Sequence, residues 1–129
     1  MFIRIDQSID EPLYQQIRNE IVRGIAQGEL APDDPLPSVR RLAGDLGINS
    51  HTVNKAYALL RDQGFVTMRG RSGAFIARPF DLSGKDGADE TLARELVRLA
   101  ESYKASGGTR SAFEKFVSSQ LDVVFGKKE

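Results

Sequence analysis

The chain has no cysteine and no tryptophan, two methionines and a single histidine, His51. Without thiols there is no disulfide framework, no thiolate nucleophile and no cysteine zinc site, and one histidine does not make a multi-histidine metal site. No apolar run approaches the roughly 20 residues of a membrane span. The opening Met1-Phe2-Ile3-Arg4-Ile5-Asp6 also lacks the long apolar stretch of a secretory signal. A cytoplasmic protein is therefore expected, with no membrane partner and no cofactor. There is no Gly-x-x-x-x-Gly-Lys phosphate loop, and Gly70-Arg71-Ser72-Gly73 lacks the spacer of a Gly-x-Ser-x-Gly nucleophile elbow. The pair Asp33-Asp34 lies between Pro32 and Pro35 and reads as a solvated turn, so no enzyme is expected. What is present suits one small core-forming domain with an appendage: 129 residues, 40% apolar and 28% charged.

Net charge is also lacking, with 18 bases against 18 acids, but its distribution is uneven. Residues 1–35 hold three arginines against seven acids, and residues 36–78 hold seven bases against two acids. The remainder is near balance, with eight bases and nine acids. A basic block between acidic and neutral flanks is the footprint of a surface that faces a polyanion, provided the fold gathers those side chains.

Pro12 opens a helical pattern in which Leu13, Ile17, Ile21 and Ile25 recur every fourth residue until Gly28, which predicts an amphipathic helix over 12–27. Three prolines, Pro32, Pro35 and Pro37, then force an extended or turning connection. Ser38 is placed to cap a short helix carrying Val39, Leu42, Ala43 and Leu46 and ending at Gly47. After Ile48-Asn49, Ser50 is the expected cap of a third helix, whose inner stripe is Val53, Ala56, Tyr57 and Leu60 and whose stop is Gly64. Two short helices joined through about three residues containing a glycine match a helix-turn-helix. Phe65–Met68 and Ala74–Ala77 read as strands around the turn Arg69-Gly70-Arg71-Ser72-Gly73, giving a hairpin with a basic tip and no acid between Asp62 and Asp81.

The pattern thus predicts a mainly α (α+β) fold, a winged helix-turn-helix over 1–79. A polar linker over 80–88 and a two-helix tail over 89–129 follow. Once its inner stripe is buried, the third helix leaves Asn49, Ser50, His51, Thr52, Asn54 and Lys55 outward. Nearly all are hydrogen-bonding types able to read base edges in a major groove. Arg69 and Arg71 could enter a minor groove or clamp its phosphates. Tyr57 falls on the inner stripe and reads as core, with a hydroxyl still able to reach a phosphate.

Residues 12–78 resemble the DNA-binding domain of the GntR family of bacterial transcriptional regulators. The resemblance is carried by Pro12-Leu13-Tyr14-Gln15-Gln16-Ile17, Leu36-Pro37-Ser38-Val39-Arg40, Thr52-Val53-Asn54-Lys55-Ala56-Tyr57 and Arg69-Gly70-Arg71-Ser72-Gly73-Ala74-Phe75. It implies that Arg40 touches the DNA backbone or a base, with Arg41 beside it as a further phosphate contact. It also implies that Asn49, Ser50, Thr52 and Asn54 lie on the recognition helix, and Arg69, Gly70 and Arg71 on the wing. Some relatives carry arginine at the positions of Ser50 and Asn54, so base preference does not carry over.

The short tail is similar to that of the YtrA-like subfamily, whose C-terminal part serves dimerisation. Leu92, Leu96, Leu99 and Tyr103 mark one helix, and Phe113, Phe116, Val117, Leu121 and Phe125 the other. Two helices of this size do not bury their own faces, so a second copy of the chain is the expected partner. Larger relatives attach an effector-binding or aminotransferase-like domain here, for which about 50 residues leave no room. A small-molecule effector, which nothing in the sequence identifies, would have to fit a small pocket between the tail helices, the linker and the winged domain. The expected function is a repressor that binds an inverted-repeat operator as a homodimer, with helix 50–63 in the major groove and the wing 69–73 in the minor groove. The alternative is a winged helix used as a protein-interaction module.

Overall fold

The computed structural model describes residues 3–78 and 88–127, in two compact units, 1–83 and 84–129. Helix α1 (Leu13–Ala26) packs against α3 (Ser50–Asp62), and α2 (Val39–Leu46) against the same helix. Strands β1 (Val66–Met68) and β2 (Ala74–Ile76) form an antiparallel hairpin that pairs Val66 with Ile76 and Met68 with Ala74. The stretch expected as a linker falls outside the described residues except for Ala88, which begins α4 (Ala88–Ala105). Helix α5 (Arg110–Phe125) follows.

The predicted stripes form the core of the first unit. Ile17 and Ile21 of α1 and Val53, Ala56 and Leu60 of α3 are fully buried, with Leu42, Ala43, Val66 and Ile76 around them. Burying one such aliphatic side chain is worth about 1.5–3 kcal/mol. At the end of α1 the chain turns back so tightly that a Cβ on Gly24 would stand 3.0 Å from Leu30 Cδ1. Gln16 is the one buried polar side chain among the described residues. Its amide donates to the carbonyls of Asp6 and Glu11 at 2.9 and 2.8 Å and accepts from the Asp6 N–H at 2.7 Å, which stitches the N-terminal segment to α1.

The proline-rich connection does more than link α1 to α2. Pro35 bridges to Phe75, the Leu36 N–H donates to the Ala74 carbonyl at 2.9 Å, and the Ile76 N–H donates to the Asp34 carbonyl at 2.9 Å. The connection therefore lies along the outer edge of β2, where a proline that cannot donate is tolerated. Ser38 caps α2 through the Arg41 N–H at 3.1 Å. Gly47 (φ +67°) ends it in the left-handed conformation that favours glycine.

In the second unit, the Tyr103 and Phe113 rings meet with centroids 4.9 Å apart. Tyr103 lies over Gly108, where no Cβ would fit. Thr109 caps α5 through the Ala112 N–H at 3.2 Å. The rest of the expected interface set stays outside: Leu92, Leu96, Leu99, Phe116, Leu121 and Phe125 are exposed and Val117 is half-buried.

Tyr57 is 2% exposed, and its hydroxyl donates to the Pro37 carbonyl at 2.7 Å. The hydroxyl thus serves the fold and is not aimed at a phosphate. Burial pushes its pKa well above the usual tyrosine range, so it donates at all ordinary pH. Tyr57→Phe is expected to cost about 1–2 kcal/mol in urea unfolding, because the Pro37 carbonyl loses its partner while the ring still fills the core.

Candidate nucleic-acid interface

The geometry of α3 follows from its burial. With Val53, Ala56, Tyr57 and Leu60 inward, Ser50, His51, Asn54 and Lys55 are exposed and Thr52 is half-buried. The cap differs from expectation by one residue. Asn49 has extended backbone (φ −69°, ψ 135°), and its side-chain oxygen accepts the His51 N–H at 2.8 Å, so Ser50 is the first helical residue. Asn49 and Ser50 are both cap-forming types, and the tight exit from Gly47 decides which of them lies outside the helix. Asn49 thus has its side-chain oxygen partly engaged by the cap, whereas Ser50, Thr52 and Asn54 make no side-chain hydrogen bond among the described residues.

The basic block separates into held and unheld cations. The Arg41 Nε stands 3.9 Å from Asp45 one turn on, and Arg61 pairs with Asp62. Lys55 Nζ lies 4.1 Å above the Tyr14 ring of α1, a cation–π contact that draws it toward the body of the unit. Arg69, expected at the wing tip with no acid nearby in sequence, is paired with Asp33, and its guanidinium lies 4.4 Å over the Phe75 ring. Arg78 pairs with the other oxygen of the same carboxylate at 3.1 Å. Arg40 and Arg71, both exposed, make no ion pair or hydrogen bond among the described residues.

The wing turn itself is a short 3₁₀ segment, Gly70–Ser72, closed by the Arg69 N–H donating to the Gly73 carbonyl at 2.9 Å. Gly70 has φ +55° and Gly73 φ +98°, conformations that favour glycine, and Arg71 between them is exposed. The structure thus leaves a row of unengaged polar groups on the first half of α3, and unheld cations at Arg40 of α2 and Arg71 of the wing. Asp33, read in the sequence as part of a solvated turn, pairs with Arg69 and Arg78, and Phe75 and Tyr14, quoted there only within the family resemblance, hold Arg69 and Lys55. No local signal in the sequence pointed to these pairings, whose partners lie 36 and 45 residues away from Asp33.

A winged helix-turn-helix with an open polar recognition face narrows the possible families, and the comparisons with known proteins decide among them. The profile described as bacterial regulatory proteins, gntR family, matches residues 13–76. A Mycobacterium tuberculosis protein, HTH-type transcriptional regulator Rv1152, is 38% identical over 94% of this chain and 95% of its own length. The chain belongs to the GntR family. The Bacillus subtilis HTH-type transcriptional repressor YtrA is 31% identical over 98% of each chain. Among solved structures, YtrA from Sulfolobus acidocaldarius, a GntR-family transcription factor, is 37% identical over 78% of this chain and 97% of its own, with a TM-score of 0.63. The AraR(DBD) in complex with operator ORE1 is 30% identical over 60% of this chain and 94% of its own, with a TM-score of 0.51. Among the described residues no helix is long and apolar enough to cross a membrane.

The position of the α3 cap in this GntR-family domain is open to measurement. Asn49→Ala is expected to cost about 1 kcal/mol in urea unfolding, because it leaves the His51 N–H without its acceptor. Ser50→Ala is expected to stay within about 0.5 kcal/mol, as an exposed first-turn substitution does. The reverse order would return the cap to Ser50.

Proposed function

We propose that this chain is a DNA-binding transcriptional regulator, acting as a repressor, that takes an inverted-repeat operator as a homodimer. The observation that carries the reading is the first half of α3. Five polar side chains, Ser50, His51, Thr52, Asn54 and Lys55, face outward from a helix whose other face is fully committed to the core. A short helix of this kind fits the major groove with its first turns against the base edges. Asn54 suits an adenine, and Ser50 and Thr52 suit either bases or phosphates. Arg40, unheld on α2, suits the phosphate backbone, and Arg41 could join it by letting go of Asp45. The turn Arg69–Gly73, with Arg71 leading, suits the neighbouring minor groove. The operator complex of the AraR domain supports DNA as the ligand, and the repressor name of the Bacillus subtilis relative supports the sign of regulation.

The tail supports the homodimer. Leu96, Val97, Ala100, Phe113, Val117 and Leu121 line an open apolar groove of about 460 Å³ along α4 and α5. Leu99, Val123 and Phe125 are more than half exposed. Two such faces pressed together would bury what neither covers alone. A two-fold pair of recognition helices then calls for half-sites about one helical turn apart or a multiple of it.

Selection of binding sites from random duplexes with the full-length protein tests the reading. Enrichment of an inverted repeat with half-site centres about 10 bp apart, or a multiple of that, is expected, and no enriched sequence would overturn it. On the selected site, Arg40→Ala and Arg71→Ala are each expected to weaken specific and random DNA alike and to flatten the salt dependence by about one unit of slope. Asn54→Ala is expected to cost about 1–3 kcal/mol on the selected site only. Deleting residues 88–129 is expected to give a monomer in sedimentation with strongly weakened operator binding, because two linked half-site contacts become independent.

A further inference from the structure

Asp33 is the one non-glycine residue among the described ones with positive φ, +70°. A side chain there carries a backbone cost that asparagine and aspartate bear best. The turn that holds it is closed by the Asp34 N–H to the Ala31 carbonyl at 3.1 Å, and by the Ala31 N–H to the Asp34 carboxylate at 2.8 Å. The Asp33 N–H donates to the Ile76 carbonyl at 2.8 Å, which fixes the turn against β2. The carboxylate is thereby placed beside the hairpin, with one oxygen on Arg69 and the other on Arg78. Phe75 presents its ring to the Arg69 guanidinium, so that cation is held by a carboxylate and by a π face. The two guanidinium hydrogen bonds, that of Arg69 first, hold the Asp33 carboxyl below the usual range, so it is ionised throughout neutral pH.

We propose that Asp33 is a built-in rival of the DNA phosphate: it holds Arg69 and Arg78 against the body of the wing, leaves Arg71 as its working cation, and so limits affinity for DNA of arbitrary sequence. This rests on the DNA-binding reading given above. Binding to random DNA grows with the number of phosphates neutralised, each adding close to one unit to the salt slope. Two arginines engaged by an internal carboxylate are withdrawn from that number. The carboxylate also adds a negative charge within a Debye length, about 8 Å, of any phosphate that reaches Arg69. An exposed ion pair is worth at most about 1 kcal/mol, so Asp33 restrains the cations without disabling them. Asp33 is thus a positioning residue that acts through Arg69.

The test is binding of full-length wild type, Asp33→Asn and Asp33→Gly to a random-sequence 20 bp duplex between 50 and 200 mM salt. Asparagine tolerates the left-handed backbone and removes the charge, while glycine removes both the charge and the backbone cost, so a folded variant is secured by one of the two. Both are expected to bind the random duplex several-fold more tightly at 50 mM salt, with a slope steeper by about one unit, that of Arg69. Adding Arg69→Ala to Asp33→Asn is expected to remove about one unit of that gain. A slope that stays level or flattens in both folded variants, with wild type still binding in a salt-dependent way, overturns the role of Asp33 and leaves the DNA reading standing. Wild type that shows no salt-dependent binding overturns both.

Discussion

Helix α3 belongs to the core on one face and to solvent on the other, and the remaining elements of its unit are arranged around that division. Val53, Ala56, Tyr57 and Leu60 are buried against α1, α2 and β1. The Tyr57 hydroxyl extends this packing to the Pro37 carbonyl. That bond reaches the segment that runs along β2, which adds a second tie between α3 and the hairpin to the packing of α3 on β1. Because the inner face is filled, α3 cannot roll to present other residues, and its outward polar row is fixed in direction. A surface built to hold hydrogen-bonding groups in constant geometry gains its precision from packing beneath it.

Electrostatically the unit is more selective than its charge count suggests. A block of seven bases against two acids becomes, once folded, a surface on which most cations already have a carboxylate or a ring as partner. Charge density alone would favour binding to any polyanion. Pairing five of the seven cations leaves Arg40 and Arg71 as the two of that block without an ion pair or ring contact among the described residues.

The tail unit follows a different logic. Its two helices meet through the Tyr103–Phe113 pair and the close approach at Gly108, a small contact for two helices of 18 and 16 residues. No residue of α5 is fully buried. Exposed leucines, valines and phenylalanines in such a row are costly in water, and the tail by itself leaves that cost standing.

The sequence alone determined the helices, the hairpin, the GntR resemblance and the identity of the outward residues of α3. These rest on rules spanning a few residues: a 3.6-residue stripe, a polar cap and a glycine at positive φ. Even the misplaced cap was an error of one residue between two competent neighbours. The tertiary structure alone decided which cations are free, because the partners come from far along the chain. Asp33 meets Arg69 across 36 residues, Tyr14 of α1 draws in Lys55 of α3, and Pro35 pairs with Phe75. Gln16 likewise holds an N-terminal segment in which no periodic pattern pointed to a partner. Local pattern tells a side chain which way to face, and only the folded chain tells it what it will find there.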